Sequence, residues 1–162
     1  MRDYIIMTDS CCDLSQQEVE ELELTVLPLS FTIEGKTLLN TPDHADMSPE
    51  EFFAKIAAGA DCTTAAVNVG QFTDAMEKVL QEGKDILCVC FSSALSTTYQ
   101  SACIAAEDLR EKYPEAKILV IDSLSASRGQ GMLLYRAVRE RREKNLTIDE
   151  LDAYVRSIIQ SQ

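Results

Sequence analysis

Three times this sequence passes from a short apolar run into a loop rich in serine and threonine, and then into a helical pattern. That recurrence leaves few folds open. Tyr4-Ile5-Ile6-Met7 leads into Thr8-Asp9-Ser10. Ile86-Leu87-Cys88-Val89-Cys90-Phe91 leads into Ser92-Ser93-Ala94-Leu95-Ser96-Thr97-Thr98, and Ile118-Leu119-Val120-Ile121 into Asp122-Ser123-Leu124-Ser125. Strands alternating with helices build an α/β domain: a parallel sheet in layers, with helices on both faces. Ligands of such sheets bind beyond the carboxyl ends of the strands. All three hydroxyl-bearing loops stand at such ends. The spacing therefore predicts that Asp9, Ser10, Thr64, Ser93, Ser96 and Asp122 border one crevice, with Thr97 and Ser123 in its supporting loops. Hydroxyls and helix amino termini both offer hydrogen-bond donors, which suits an anionic head group.

Bulk properties narrow the partners. The 162 residues fit one domain, and 46% hydrophobic content is ample for one core. A net charge of -12 repels phosphate polymers and anionic surfaces, which argues against nucleic acid as a partner. Much of that charge lies on helix faces such as Gln17-Glu18-Val19-Glu20-Glu21-Leu22-Glu23, where solvation explains it. No apolar run has the length of a bilayer span, so stable membrane insertion is not expected. Met1-Arg2-Asp3 leads into a strand without the pattern of a signal peptide, and a cytoplasmic location is expected. The six cysteines include no Cys-x-x-Cys pair, and the single histidine, His44, lies in an acidic loop. Neither a disulfide framework nor a zinc site is expected, and no cofactor. Cys11 and Cys12, beside the first serine loop, are the two thiols placed for reactivity, although small buried hydrophobes are the commoner role.

Coarse periodicity places the remaining elements. Ser15 reads as the N-cap of a helix through Leu22. Thr25 to Asn40 reads as extended, with a turn at Glu34-Gly35-Lys36 and an edge position marked by Pro28. Ser48-Pro49-Glu50-Glu51 opens a helix that stops near Gly59. Cys62 to Asn68 is small and polar, and Thr63-Thr64 would serve as an N-cap. Helices are expected from about Gln71 to Gln81, Tyr99 to Lys112, Gln130 to Glu143, and from Leu146 to the end of the chain.

The chemistry of catalysis finds little footing. His44 is far from any Gly-x-Ser-x-Gly elbow, so a hydrolase triad has no base. Asp9 stands where aspartyl-phosphate enzymes carry their nucleophile, but position 11 is Cys11, not a second aspartate. No phosphate-cradling glycine loop with a lysine is present, and Gly129-Gln130-Gly131 is too short for a dinucleotide fingerprint. Asp9 and Asp122 more readily accept bonds from loop amides. Ser93, Ser96, Thr97 and Thr98 supply more hydroxyls than one helix cap needs, which favours binding over capping alone.

These residues resemble the DegV family. Thr8-Asp9-Ser10 with Asp13-Leu14 matches its opening motif. Ser92-Ser93-Ala94-Leu95-Ser96-Thr97-Thr98-Tyr99-Gln100-Ser101-Ala102 is similar to its central Ser-Ser-x-Leu-Ser-Gly-Thr-Tyr-Gln-Ser-Ala motif. Ile121-Asp122-Ser123, with Ser127, Gly129 and Gly131, resembles a third. The resemblance implies a bacterial fatty-acid-binding protein, not an enzyme, that presents the carboxylate of a long-chain fatty acid to a separate ATP-dependent fatty acid kinase. It assigns the carboxylate to Thr64 and Ser96. Two departures stand out: Ala65 replaces a family serine, and Thr97 replaces the motif glycine. Family members usually carry a second domain that helps enclose the ligand. Residues 1–162 read as the amino-terminal domain alone, with that second domain absent.

The energetics fit such a division of labour. Burying about fourteen methylenes contributes on the order of 11 kcal/mol, whereas a hydrogen bond to a carboxylate adds roughly 1.5–3 kcal/mol. The tail then supplies affinity and the hydroxyls set orientation. Without the resemblance, the residues equally suit an enzyme or sensor that binds a phosphorylated small molecule, such as a sugar phosphate, through the same loops.

Overall fold

The computed structural model describes residues 2–159. In chain order its elements are β1 (Tyr4–Asp9), a single 3-10 turn (Ser10–Cys12), α1 (Gln16–Glu21), β2 (Leu24–Leu27), β3 (Leu29–Ile33), β4 (Lys36–Asn40), α2 (Pro49–Ala57), β5 (Cys62–Ala65), α3 (Val69–Gln81), β6 (Asp85–Cys90), α4 (Thr98–Lys112), β7 (Ile118–Asp122), α5 (Ser127–Lys144) and α6 (Ile148–Ile159). Four strands form a parallel sheet in the order β2-β1-β6-β7. Every residue of β6 is buried, as a continuous apolar run covered on both faces should be.

Strand alternation divides the core in two. Tyr4, Ile6, Leu87, Val89 and Ile121 point towards α1, α5 and α6, meeting Val19, Leu134, Ala137, Leu151 and Val155. Met7, Ile86, Cys88, Cys90 and Val120 point the other way, onto Phe72 and Met76 of α3 and Ala102, Ala105 and Leu109 of α4. The expected α/β layering with helices on both faces is the one observed. Because β1, β6 and β7 are adjacent and parallel, their carboxyl ends open on the same side.

Pro28 falls between β2 and β3, where the chain leaves one sheet for another. Lacking an N–H, it stops the ladder there, and β2 is an edge strand as the proline suggested. The second sheet was not anticipated. It is antiparallel, in the order β4-β3-β5. Its β3–β4 hairpin turns on Glu34 and Gly35, both with positive φ (49° and 75°), the backbone a two-residue turn between right-twisted strands requires. Residues 62–65, read from sequence as part of a small polar stretch with Thr63-Thr64 as an N-cap, are strand β5. Thr63 and Thr64 pair there with Thr32 and Phe31, while Asn68 caps α3 through a reciprocal pair with Gln71.

Other boundaries shift by a few residues. α3 starts at Val69, α4 at Thr98 and α5 at Ser127, each slightly earlier than the pattern suggests. Ser15 does cap α1, with Glu18 closing the box, and Ser48 caps α2 with Pro49 at its first position. The last helix is expected to run to the chain end; positions 160–162, like Met1, lie outside the described residues.

Candidate functional site

Asp9 ends β1 and is fully buried. One carboxylate oxygen, Oδ2, accepts the Phe91 N–H at 2.7 Å, from the first residue after β6. The other, Oδ1, accepts the Cys11 N–H at 3.1 Å and Gln130 Nε2 at 3.3 Å. Burial pushes this carboxyl above its usual range, against the bonds from Phe91, Gln130 and Cys11 that favour its charged form. Gln130 is also fully buried, in the first turn of α5, and its Nε2 donates to Thr8 Oγ1 at 3.0 Å. Thr8 in turn donates to the Val89 carbonyl at 2.7 Å. Gln130 reaches this place because α5 packs hard on the Ser10–Cys12 turn: a Cβ at Gly131 would lie 2.7 Å from the Cys12 carbonyl oxygen.

The loops after β6 and β7 are laced together. Asp122 Oδ1 accepts both the Ser93 N–H and the Leu124 N–H at 3.1 Å, and the Ser92 N–H donates to the Ser125 carbonyl at 3.0 Å. Ser123 is buried and exchanges hydrogen bonds with the Ser125 backbone, so its hydroxyl serves the turn. Ser93 and Thr97 are exposed, while Ser96 is half-buried just before α4. Thr97, although at the N-cap position, makes no side-chain cap. Ser96 takes that part: its Oγ accepts the Thr98 N–H at 3.2 Å and lies 2.9 Å from Thr98 Oγ1, a buried hydroxyl. With Thr98 as donor, both Ser96 lone pairs are engaged and its own proton remains for an external acceptor.

Thr64 lies on β5 of the second sheet, not on these loops, and is exposed. Cross-strand pairing puts it on the same face as Phe31. Phe31 meets Phe52 of α2 edge-on at 5.4 Å, and Phe52 meets Phe53 likewise at 5.4 Å. Phe53 and Ile56 remain exposed, so an apolar surface extends from the neighbourhood of Thr64 along α2. The second sheet is tied to the first by Ser10, whose Oγ accepts the Leu29 N–H at 2.9 Å, and Ser30, next along β3, pairs with Ala65. The structure thus brings together Asp9, Ser10, Ser93, Ser96, Thr97, Asp122 and Ser123 at one end of the parallel sheet, and hangs the strand of Thr64 from that end. The sequence reading counts Thr8 and Thr98 among the loop hydroxyls without assigning them to the site, and Gln130 enters it only as a polar residue between two glycines.

The site is not built for nucleophilic chemistry at its cysteines. Burial pushes the Cys11 thiol up to about 12 and the Cys12 thiol up to about 11, helped by the nearby Asp9 and Asp13 charges. Beside Ser10 lies a polar cleft of about 230 Å³ lined by residues that include Asp13, Asn40, His44 and Arg128. Arg128 is already engaged there by Glu18 at 3.0 Å and 3.3 Å. Among the described residues no cluster of histidine, cysteine, aspartate or glutamate could hold a metal ion, and no helix is long and apolar enough to cross a membrane.

A parallel α/β domain with hydroxyl-bearing loops gathered beyond its strand ends belongs to the open-sheet α/β class, whose ligands bind at that end. Comparison with known proteins makes the assignment specific. The model of the DegV family, described as uncharacterised proteins, matches residues 4–162, and the chain belongs to that family. A DegV domain-containing protein of Clostridium perfringens is 37% identical over 155 residues, which cover 96% of this chain and 53% of the relative. A DegV family protein from Thermus thermophilus, described as binding fatty acid, superposes with a TM-score of 0.84 at 29% identity, covering 99% of this chain and 54% of the other. A stearic-acid-binding protein from Eubacterium ventriosum gives 0.83 at 27% identity, covering 94% and 52%. The chain spans about half the length of the curated relatives it matches.

Proposed function

We propose that this chain binds a long-chain fatty acid, its carboxylate received by Ser96 and Thr64, and that it delivers this carboxylate to a fatty acid kinase without acting on it. The observation that carries the reading is the Ser96 hydroxyl. With Thr98 Oγ1 as the donor, its lone pairs face Thr98 and its proton is left to donate, and it stands at the amino end of α4, where the helix dipole favours negative charge. Neutral donors suit a carrier that must surrender its head group, because an arginine clamp would hold a carboxylate more strongly. The apolar surface from Phe31 to Phe53 gives the start of a path for the acyl tail. The fatty-acid-binding relatives of matching fold support the same ligand class. The remaining length of such relatives would close over the tail. Delivery to an ATP-dependent kinase fits a cytoplasmic location.

The sugar-phosphate reading has less behind it. The hydroxyl-loop segments 8–10, 92–98 and 122–125 include no lysine or arginine, and Arg128 is bonded to Glu18 in a cleft that also holds Asp13. Mass spectrometry of small molecules extracted from the natively purified chain separates the two. A long-chain acid is expected. A phosphorylated metabolite in its place would overturn the proposal.

A further inference from the structure

We propose that Asp9 and Gln130 are positioning residues for the carboxylate-binding loop, holding residues 91–98 in the geometry that lets Ser96 donate. The inference deepens the fatty-acid reading and rests on it for its ligand. The Asp9 side chain bonds at once to the segments after β1 and β6 and to α5: Cys11 N–H at 3.1 Å, Phe91 N–H at 2.7 Å and Gln130 Nε2 at 3.3 Å. The Phe91 bond fixes the point at which the chain leaves β6, five residues before Ser96. Companion restraints on this loop are the Asp122 bond to the Ser93 N–H and the Ser92 N–H bond to the Ser125 carbonyl.

A plain packing role does not account for this pair. The Thr8–Asp9–Gln130 group is buried completely, and Gln130 Oε1 has no hydrogen-bond partner among the described residues. Leucine or methionine would fill that volume without leaving a buried carbonyl oxygen unmet. The orientation of the amide is also fixed, because reversing it would aim Oε1 at the Asp9 carboxylate. What glutamine adds over an apolar side chain is its two donated bonds, to Thr8 Oγ1 and Asp9 Oδ1. They hold Asp9 with its other oxygen directed at Phe91. Asparagine at position 9 cannot copy this: an amide aimed at Phe91 sets donor against donor, and an amide aimed at Gln130 and Cys11 does the same.

The test compares the full chain with its Asp9→Asn and Gln130→Met variants in two measurements. The first is amide hydrogen exchange without ligand. Asp9→Asn should speed exchange at Phe91 and Ser93 by about tenfold or more while Leu87 and Val89 in β6 stay protected, and Gln130→Met should do so to a lesser degree. The second titrates dodecanoate and dodecan-1-ol, which share a tail and differ in the carboxylate. Both variants should lose about tenfold of the wild-type preference for acid over alcohol, with alcohol affinity little changed. Unchanged exchange in the 91–98 segment would overturn the positioning role, as would equal losses for acid and alcohol. Should Asp9→Asn fail to fold, Gln130→Met decides on the same criteria. A wild-type chain that binds neither probe would instead refute the fatty-acid reading, and the exchange measurement would still decide whether Asp9 and Gln130 order the loop.

Discussion

In the proposed reading Ser96 is the group that meets the ligand, whereas Asp9 is fully buried. Alanine at Ser96 removes the donor and leaves the Thr98 N–H without its acceptor. Carboxylate affinity should fall by roughly 1.5–3 kcal/mol at most, the range of a charged hydrogen bond, as read by titration of a fatty acid below its micellar concentration. Asp9 should instead announce itself through pH. Its folded-state pKa is raised, chiefly by burial, so the folded protein holds this proton more tightly than the unfolded chain does. The contribution is therefore full below the unfolded value and is lost as pH climbs through the carboxylate range towards the folded one. Denaturant midpoints of wild type and Asp9→Asn should accordingly diverge across that window, the wild type losing stability relative to the variant as pH rises. Parallel profiles would show that Asp9 titrates as an ordinary carboxylate.

At the scale of elements, the contact between α5 and the Ser10–Cys12 turn is the joint on which the buried network depends. Gly131→Ala should destabilise by about 1–3 kcal/mol, since its Cβ would meet the backbone oxygen of Cys12 at 2.7 Å and α5 would have to move. Gly129→Ala, two residues away in the same helix, has only ordinary contact with Ser125 at 3.6 Å and should be neutral or stabilising by about 0.5–1 kcal/mol. Thermal unfolding of the pair checks the contrast. Equal effects would mean that helix propensity, not close approach, governs both positions. The same elements show what a sequence can disclose. The strands β1, β6 and β7 were legible because both their faces are buried and an unbroken apolar run results. The strand β5 was not: Cys62-Thr63-Thr64-Ala65 is exposed over most of its length, and its partner β3 lies far back in the chain. Ser96 was legible as one of a cluster of hydroxyls. Gln130 was not, because only the close packing at Gly131 brings it to Asp9.

At the scale of the molecule, an acidic domain exposes apolar side chains in two places that bear on the proposed ligand: Phe53 and Ile56 on α2, and Leu95 and Leu124 on the strand-end loops. The chain spans about half the length of its curated relatives. Joining it to the carboxy-terminal half of a relative should tighten binding of a long-chain acid substantially, because each further buried methylene adds about 0.8 kcal/mol. Equal affinities with and without that half would place the whole tail pocket within these residues. The central claim, that a fatty-acid carboxylate is held by the hydroxyl loops, is tested most directly by NMR of a fatty acid labelled with carbon-13 at its carboxyl carbon. A distinct bound carboxyl resonance is expected with the wild-type chain, and a changed one with Ser96→Ala and with Thr64→Val. A bound resonance that neither substitution moves would place the carboxylate elsewhere and contradict the assignment.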